Sequence, residues 1–356
     1  MANEQRRSAA SGISVVSPTK GRVALVRRLL ESVREAAGNV AVPVEILIVD
    51  DSNPGEAQEI ERACTDARAT YIRGPRNVGH KRNVGTAAAA HDVVLFIDSD
   101  CMATPELLKE HLYAHETADE DVIAIAGPTQ FYGPSHISAR LAERSMVYEA
   151  FESPRHFEEV LWGTTSNLSV RRPHFLELGG FHESPLTIVG GEDVDFGIRA
   201  HRLGYRMATV PEGVALHVRA AGWEIAGSAR KLVRYGRADN WLCWEHPEFR
   251  VFYPNPVALA VIAGMAGAVL RLGRPRRIGL VTVPMFAIWA RELRRRRTVR
   301  PKDATLDVVA IPLDWSYDAG VLLGAIQAGK PLEALTRFDY HPPNRFTSRQ
   351  PHGHQR

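Results

Sequence analysis

The residues with the clearest capacity for chemistry are two aspartates, Asp98 and Asp100, which end the uninterrupted apolar run 93–97. A run of this kind is typical of a strand buried on both faces, so the acids mark its carboxyl end. Alternate residues of an extended chain point the same way, and we therefore expect Asp98 and Asp100 to face one object while Ser99 points away. Two carboxylates held this close repel unless a cation lies between them or one is protonated, and their hard oxygens suit Mg²⁺ or Mn²⁺. The alternative is a solvated acidic turn, because three residues alone are a weak motif.

The segments before this run alternate between strand and helix. Strands are predicted at 13–16, 44–49 and 70–73, and helices at 23–37, at about 54–67 and after Asn77, a plausible N-cap. Pro18 lacks an N–H and Gly21 favours a turn, so the first strand is predicted to stop before Pro18. The alternation predicts an α/β fold with a doubly wound, mostly parallel sheet.

The pattern changes after Asp100. We predict helices at about 104–115 and 138–151, strands at 122–126, 206–210 and 214–218, and a small-residue polar loop at 162–167. A further helix opens after Gly190-Gly191 with Glu192, Asp193 and Asp195. Acids in a first helical turn interact favourably with the helix dipole, which is the purely structural explanation of Glu192 and Asp193.

Composition narrows the class of protein. The 356 residues suit one large or two ordinary domains, and a net charge of +3 is too small to argue for nucleic acid. The three cysteines have no metal-ligand spacing and argue for a reducing compartment rather than a disulfide scaffold. Cys101 is predicted to be a small buried filler, with a reactive thiol as the alternative. Residues 1–11 contain no apolar segment typical of a signal peptide.

The composition shifts from Pro254 onward. Two uncharged runs, 257–270 and 278–290, are each shorter than the roughly 20 residues that span a bilayer, and arginines surround them. They are predicted either to pack on the protein or to lie in a membrane interface with the arginines on anionic headgroups, and we favour the membrane surface. The tail 344–356 is predicted to be disordered, with His352 and His354 solvated rather than metal-bound.

Four polar clusters follow predicted strands or begin helices. They are Pro18-Thr19, Asp50-Asp51, His80-Lys81-Arg82-Asn83 and Asp98-Ser99-Asp100. Strand exits of a doubly wound sheet share one edge, and this mixture of acids and bases suits a nucleoside diphosphate bridged by a divalent metal. The glycine-rich signatures of a dinucleotide site and of a P-loop are both missing from the sequence.

The ordered set of motifs resembles glycosyltransferase family 2, over about residues 12–220. The resemblance is carried by Asp50-Asp51, 77–85, 96–100 and Gly191-Glu192-Asp193. It implies a GT-A fold and an inverting enzyme that uses a nucleotide sugar.

The resemblance also implies roles for individual residues. Pro18, Asp50 and Asp51 would line the nucleoside pocket, with Thr19 and Ser99 beside them in the donor site. Lys81 and Arg82 would lie against the nucleotide and its diphosphate. Asp98 and Asp100 would hold Mn²⁺ or Mg²⁺ and the diphosphate, with Asp98 also near the ribose of the nucleotide. Asp193 would be the general base of the Glu192-Asp193 pair. His217 would supply a further metal ligand, with a core or loop histidine as the alternative. Trp162, Gly163 and Asn167 would contact the acceptor, with ordinary packing as the alternative for Trp162.

These expectations define one hypothesis and two rivals. We expect a disordered 1–11, a GT-A domain at 12–245 with a nucleotide-binding half (12–100) and an acceptor half (101–245), a helical arginine-rich extension at 246–340, and a tail at 341–356. The expected reaction moves a hexose-type sugar, from a UDP-sugar in our interpretation, to a hydroxyl of a cell-envelope or lipid-linked glycan, a secondary metabolite or a peptide. The expected location is cytoplasmic, peripheral on the membrane. The rivals are a nucleotidyltransferase and a catalytically inactive nucleotide-sugar-binding protein.

Overall fold

A central β-sheet organises the chain in the computed structural model, which describes residues 11–183, 190–219, 224–299, 305–341 and 347–348. Both predicted disordered ends lie largely outside these ranges. The strands are β1 (Ile13–Thr19), β2 (Val44–Asp50), β3 (Thr70–Arg73), β4 (Val93–Phe96), β5 (Cys101–Ala103), β6 (Val122–Ala126), β7 (Thr129–Tyr132), β8 (Phe157–Glu159), β9 (Leu168–Arg171), β10 (Arg206–Thr209), β11 (Ala215–Val218), β12 (Arg250–Phe252), β13 (Thr336–Phe338) and β14 (Thr347–Ser348).

Twelve α-helices appear in the described ranges. They are α1 (Val23–Ala37), α2 (Pro54–Asp66), α3 (Val78–Ala88), α4 (Leu107–Thr117), α5 (Ile137–Glu143), α6 (Ser153–His156), α7 (Arg172–Glu177), α8 (Glu192–Arg202), α9 (Ile225–Glu245), α10 (Pro256–Val269), α11 (Arg274–Val299) and α12 (Asp307–Gln327). Short 3-10 helices occur at Met146–Phe151, Pro247–Phe249 and Pro331–Leu335. The helix predicted at 138–151 is therefore α5 followed by a 3-10 turn.

The central sheet has nine strands in the order β14-β8-β10-β6-β9-β4-β1-β2-β3. The strands from β4 to β3 run parallel to one another, and β9 is antiparallel to both of its neighbours. A second sheet, β5-β11-β7, joins the residues after the acid pair to the segment containing His217. The α/β, doubly wound, mostly parallel architecture with C-terminal helices is thus confirmed.

Alternating side chains of the inner strands enter two separate cores. Val15, Ile48 and Leu95 pack with α1, α2 and α4, whereas Val16 and Phe96 pack on the opposite face with α3, α7 and α8. Each of these side chains is fully buried or nearly so, and burying one contributes about 1.5–3 kcal/mol to folding. Because both faces are covered at β4, that strand contains only apolar residues, and its acids begin at the carboxyl edge.

The prediction that Pro18 ends the first strand is wrong. β1 continues to Thr19, and Pro18 pairs with Val49 of β2. The carbonyl of Val16 accepts from Ile97 on the β4 side and that of Thr19 accepts from Asp51 on the β2 side. Residues alternate between the two sides, so the missing N–H of Pro18 faces the side where β4 has already ended, and no ladder hydrogen bond is lost.

The C-terminal helices pack on the same body as the sheet. The backbones of α9 and α12 touch at two glycines: a Cβ on Gly236 would lie 2.0 Å from the Tyr317 oxygen, and one on Gly320 would lie 2.2 Å from the Val233 oxygen. Buried ion pairs join α12 to its surroundings, Arg144 with Asp307 and Arg337 with Asp318. α9 is therefore held at a fixed position relative to the rest of the fold.

Candidate active site

A large cavity of about 1190 Å³ lies at the carboxyl edge of the inner parallel strands. Twelve of the residues predicted from the sequence line it: Pro18, Thr19, Asp51, Lys81, Arg82, Asp98, Ser99, Asp100, Trp162, Glu192, Asp193 and His217. The fold therefore brings together motifs that are as much as 199 positions apart in the sequence.

The first aspartate of the acid pair faces an arginine. Arg82, on the buried face of α3, donates to Asp98 at 2.7 Å and to Glu192 at 2.7 Å. α3 begins at this point because the Asn77 side chain accepts from the His80 N–H, which confirms the predicted cap. Burial opposes the guanidinium charge, but the neighbouring carboxylates outweigh burial and raise the pKa of Arg82. Arg82 therefore ties the exit of β4 to the first turn of α8.

The second aspartate faces a different set of groups. Asp100 forms an ion pair with Arg22, and its Oδ1 lies 3.7 Å from Nε2 of His217. Burial works to raise the pKa of Asp100, but His217, Arg22 and Lys231 together lower it. The two acids therefore line one cavity, yet each contacts a different arginine.

One group of metal-type donors comes together in the described residues. Atoms of Asp100, Cys101 and His217 lie within 4.8 Å of one another, because β5 and β11 pair Cys101 with His217. Burial raises the pKa of the Cys101 thiol well above its ordinary value and lowers that of His217. The thiol is therefore protonated and the imidazole neutral, so the donors suited to Mn²⁺ or Mg²⁺ are Asp100 and His217. Asp98 lies outside this group, and Cys101 fits the buried-filler interpretation.

The lysine of α3 fixes the neighbouring part of the edge. Lys81 Nζ donates to the Thr19 carbonyl at 2.6 Å and also pairs with Asp51. Burial lowers the pKa of Lys81, while Asp51 opposes that change. A buried ammonium thus holds the ends of β1 and β2 together.

Asp193 lies in the first turn of α8, a helix that begins directly after two glycines. Gly190 and Gly191 have φ of 110° and 93°, which a side chain rarely adopts, and a Cβ on either would meet α9. This turn brings the start of α8 into close contact with α9. Burial, together with repulsion from Glu192, raises the pKa of Asp193 to about 7, with Arg82 opposing. A carboxylate with this pKa can accept a proton near neutral pH.

Three of the predicted site residues do not line the cavity. Asp50 is fully buried, and its carboxylate accepts from Ser52 and from Tyr71. The amide of Asn167 donates to the carbonyls of Pro128 and Gly213, so it braces the core behind the cavity. A Cβ on Gly163 would lie 2.7 Å from the Cβ of Ala126, so Ala126 packs directly against the Gly163 backbone. Their contacts are structural.

Trp162 lines the cavity together with residues of the C-terminal extension. Its Nε1 donates to the Tyr340 carbonyl at 2.9 Å, and the two rings meet edge to face at 5.8 Å. Tyr317 also lines the cavity, and its hydroxyl donates to the buried Asp239 at 2.8 Å. Residues of the C-terminal extension therefore form part of the aromatic surface that the sequence predicted around Trp162 alone.

The sequence-based site omits one whole wall of the cavity. Arg230, Lys231, Arg234 and Tyr235 of α9 form this wall, and Arg22 and Tyr148 also line the cavity without having been predicted. Lys231, Arg234, Tyr235 and Ala238 follow an i, i+3, i+4, i+7 spacing, which places them on one helix face. That periodicity is visible in the sequence, although nothing local indicates what the face contacts.

Comparison with known proteins assigns part of the chain to a family. A model of the family described as "Glycosyl transferase family 2" matches residues 14–179. Validoxylamine A glucosyltransferase of Streptomyces hygroscopicus subsp. jinggangensis (strain 5008) is 24% identical over 234 residues, covering 56% of this chain and 54% of that protein. Pre-mycofactocin glycosyltransferase of Mycobacterium tuberculosis is 26% identical over 328 residues, covering 88% of this chain and 63% of that protein. The chain thus spans about half the length of the curated relatives it matches.

One solved structure that this chain matches is the mannosyltransferase PcManGT from Pyrobaculum calidifontis, in complex with GDP-Man and Mn²⁺. It is 18% identical with a TM-score of 0.48, and the match covers 86% of this chain and 87% of that one. The family match extends from β1 through α7 and contains both acids of the central edge, so residues 14–179 form a glycosyltransferase family 2 domain.

Proposed function

We propose that the protein transfers a sugar from a nucleotide donor to an acceptor hydroxyl by a single, inverting displacement. The observation that carries this proposal is the placement, in one cavity, of the Asp98–Asp100 edge and of Asp193 with its raised pKa. The family membership of residues 14–179 supports the reaction class.

In the proposed reaction the acceptor oxygen bonds to the sugar C1 while the bond from C1 to the diphosphate oxygen breaks. The electron pair of that bond leaves with the nucleoside diphosphate, and Asp193 accepts the acceptor proton. Arg82 is placed to keep Asp98 and Glu192 in position at 2.7 Å from its nitrogens. The attacking hydroxyl approaches from the face opposite the diphosphate, so the anomeric configuration inverts.

A divalent cation is part of the proposal. Asp100 and His217 fit Mn²⁺ or Mg²⁺ because they offer a carboxylate oxygen and a neutral imidazole nitrogen within 4.8 Å. When bound there, the ion would supply positive charge next to the donor diphosphate. The sequence-based choice of Asp98 as a further ligand stays a prediction, since its carboxylate contacts Arg82.

The proposed acceptor lies on the aromatic surface formed by Trp162, Tyr317 and Tyr340, since sugars and other flat hydroxylated molecules pack well on aromatic faces. Relatives carry names that state single compounds, validoxylamine A and pre-mycofactocin, and names of polymer synthases, for hyaluronan and chondroitin. We place a small hydroxyl-bearing acceptor ahead of a glycan polymer because the pre-mycofactocin match covers 88% of this chain and each synthase match covers 60%.

The test begins with the purified protein, Mn²⁺ and a panel of nucleotide sugars led by UDP-sugars. Nucleoside diphosphate should form with at least one donor, slowly with water and faster with an acceptor. The variant Asp193→Asn should bind that donor but not turn it over, and the exposed Glu120→Gln is the matched control. Release of pyrophosphate would instead favour a nucleotidyltransferase. Donor binding without turnover by the unaltered protein would favour an inactive binding protein.

We also propose that the hairpin of α10 and α11 contacts a membrane surface. One side of it packs on the protein, where Ala258 of α10 is buried against Ala325 of α12. The other side exposes large apolar side chains, among them Met265 at 58%, Val269 at 80% and Phe286 at 66%. Arginines 271, 274, 276 and 277 cluster at the turn of the hairpin, where anionic headgroups would meet them.

The proposed contact is interfacial rather than spanning. α10 has 14 residues and is therefore about 21 Å long, less than the ~30 Å hydrocarbon core. Among the described helices, α12 alone has the length and composition to cross a membrane, but 56% of its most apolar window is buried inside the protein. Met265→Asp with Phe286→Asp should release the protein from anionic vesicles, while Tyr113→Asp, at an exposed apolar residue on α4, should not. Unchanged sedimentation of the double variant would contradict the membrane proposal.

A further inference from the structure

The cavity has a positively charged wall formed by α9, which lies outside the matched family domain. Arg230, Lys231 and Arg234 lie on this wall, on the face of α9 that turns toward the acid pair. The contacts of Gly236 and Gly320 fix α9 against α12, so these side chains extend from an anchored helix.

Among these three cations, Lys231 makes the contacts that fix the position of its charge. Its Nζ donates to the Tyr148 hydroxyl at 3.2 Å and lies over the rings of Tyr148 and Tyr235, at 5.2 and 5.6 Å from their centroids. Tyr148 packs in turn on Phe131, whose ring lies 5.5 Å from that of His217. Burial opposes the charge of Lys231, but Tyr235, Tyr148 and Asp100 raise its pKa above the ordinary value. The ammonium is therefore charged, and it lines the same cavity as Asp100 and His217, whose pKa values its charge lowers.

The charges of the two walls differ in how they are balanced. On the sheet-edge wall, Arg22 pairs with Asp100, Lys81 with Asp51, and Arg82 with Asp98 and Glu192. Within the part of the chain that the structure describes, no carboxylate lies within 4.0 Å of the side-chain nitrogens of Arg230, Lys231 or Arg234. Uncompensated cations that line a cavity attract an anion to it.

We infer that this face of α9, with Lys231 at its centre, binds the diphosphate of the donor from the side opposite the acid pair. The inference builds on the proposed function and adds a binding residue that the family match does not contain. As the bond from C1 to the diphosphate oxygen breaks, the electron pair remains on the diphosphate, and Lys231 stabilises that charge without giving up a proton. A phosphate on the acceptor is the other source of the same chemistry.

The test is isothermal titration of the full chain in EDTA and in Mn²⁺, with UDP, uridine and inorganic pyrophosphate as separate probes. Lys231→Met keeps the aliphatic stem and should weaken UDP and pyrophosphate binding by roughly 10- to 100-fold, the usual loss for a hydrogen bond to a charged group. Uridine affinity should not change. Lys231→Arg should retain most of the UDP affinity, and Arg28→Met, at an exposed arginine on α1, is the matched control.

Two further measurements separate binding from folding. Thermal unfolding checks that Lys231→Met remains folded, and Arg234→Met at an exposed position provides a second variant on the same wall. UDP affinity should fall with salt, and less steeply in Lys231→Met, because one screened charge pair has been removed.

The outcomes are distinct. Unchanged UDP and pyrophosphate affinity in Lys231→Met would overturn the inference, and a defect confined to the acceptor KM would assign the wall to the acceptor. If the unaltered protein binds UDP through Lys231 but no donor is ever turned over, the proposed function fails while the diphosphate site stands.

Discussion

The two walls of the cavity are organised in different ways. The sheet-edge wall consists of residues at strand and helix ends, and its cations are neutralised by carboxylates 16 to 110 positions away in the sequence. The α9 wall consists of one helix face whose cations meet phenol rings instead. The first wall is close to electrically balanced without a ligand, whereas the second is not. The difference indicates that the sheet edge positions reacting groups and that α9 supplies charge to whatever anion enters.

The variant Asp193→Asn should distinguish the roles of the two walls most clearly. Losing a general base typically costs 10²–10⁴-fold in rate, so transfer should fall by about that factor while donor Kd stays unchanged. Steady-state kinetics and titration of the same preparation measure the two quantities. A variant that keeps its rate would remove Asp193 from the base role.

Asp100→Ala should affect binding rather than chemistry alone. Mn²⁺ should no longer strengthen UDP binding, a loss of about 10- to 100-fold in the metal-dependent part of the affinity. Arg22→Met makes the opposite change, because it removes the cation that occupies Asp100, and it should tighten Mn²⁺ several-fold. Equal Mn²⁺ enhancement in Asp100→Ala and the unaltered protein would contradict the metal assignment.

The pH profile tests the sheet-edge wall without a mutation. Because the pKa of Asp193 is raised to about 7, the deprotonated fraction of its carboxyl group decreases as pH falls through that value. The rate constant kcat should drop by about tenfold per pH unit below 7 and level off above it. A profile that stays flat down to pH 5 would show that a different group accepts the proton.

The smallest expected effect comes from moving the α9 wall as a body. Gly236→Ala places a methyl group 2.0 Å from the backbone carbonyl oxygen of Tyr317, so α9 and α12 must separate, at a cost of roughly 1–3 kcal/mol. UDP affinity should fall only a few-fold. Gly264→Ala has open space and is the matched control, measured by thermal unfolding together with UDP titration. Equal melting temperatures for the two variants would mean that the contact between the two helices is not tight.

Local patterns in the sequence predicted the inner half of the sheet well. Runs rich in apolar residues gave β2 and β4 to within one residue, and the Asn77 cap gave the start of α3. The prediction for Pro18 was wrong because the cost of its missing N–H depends on whether β4 still lies beside it. That is a property of the tertiary structure and not of the local sequence. The ion pairs of Arg22 and Arg82, and the docking of α9, depend on contacts between distant segments that no local periodicity specifies.

The glycine contacts between α9 and α12 also bear on how new specificities are obtained in this family. Because the backbones of these helices meet at Gly236 and Gly320, a foreign segment that carries a side chain at either position cannot replace one helix while the other stays. A hybrid enzyme joined between 246 and 306 with such a segment would force the helices apart and misplace Lys231. Recombination aimed at a new donor or acceptor should therefore exchange both helices as one unit.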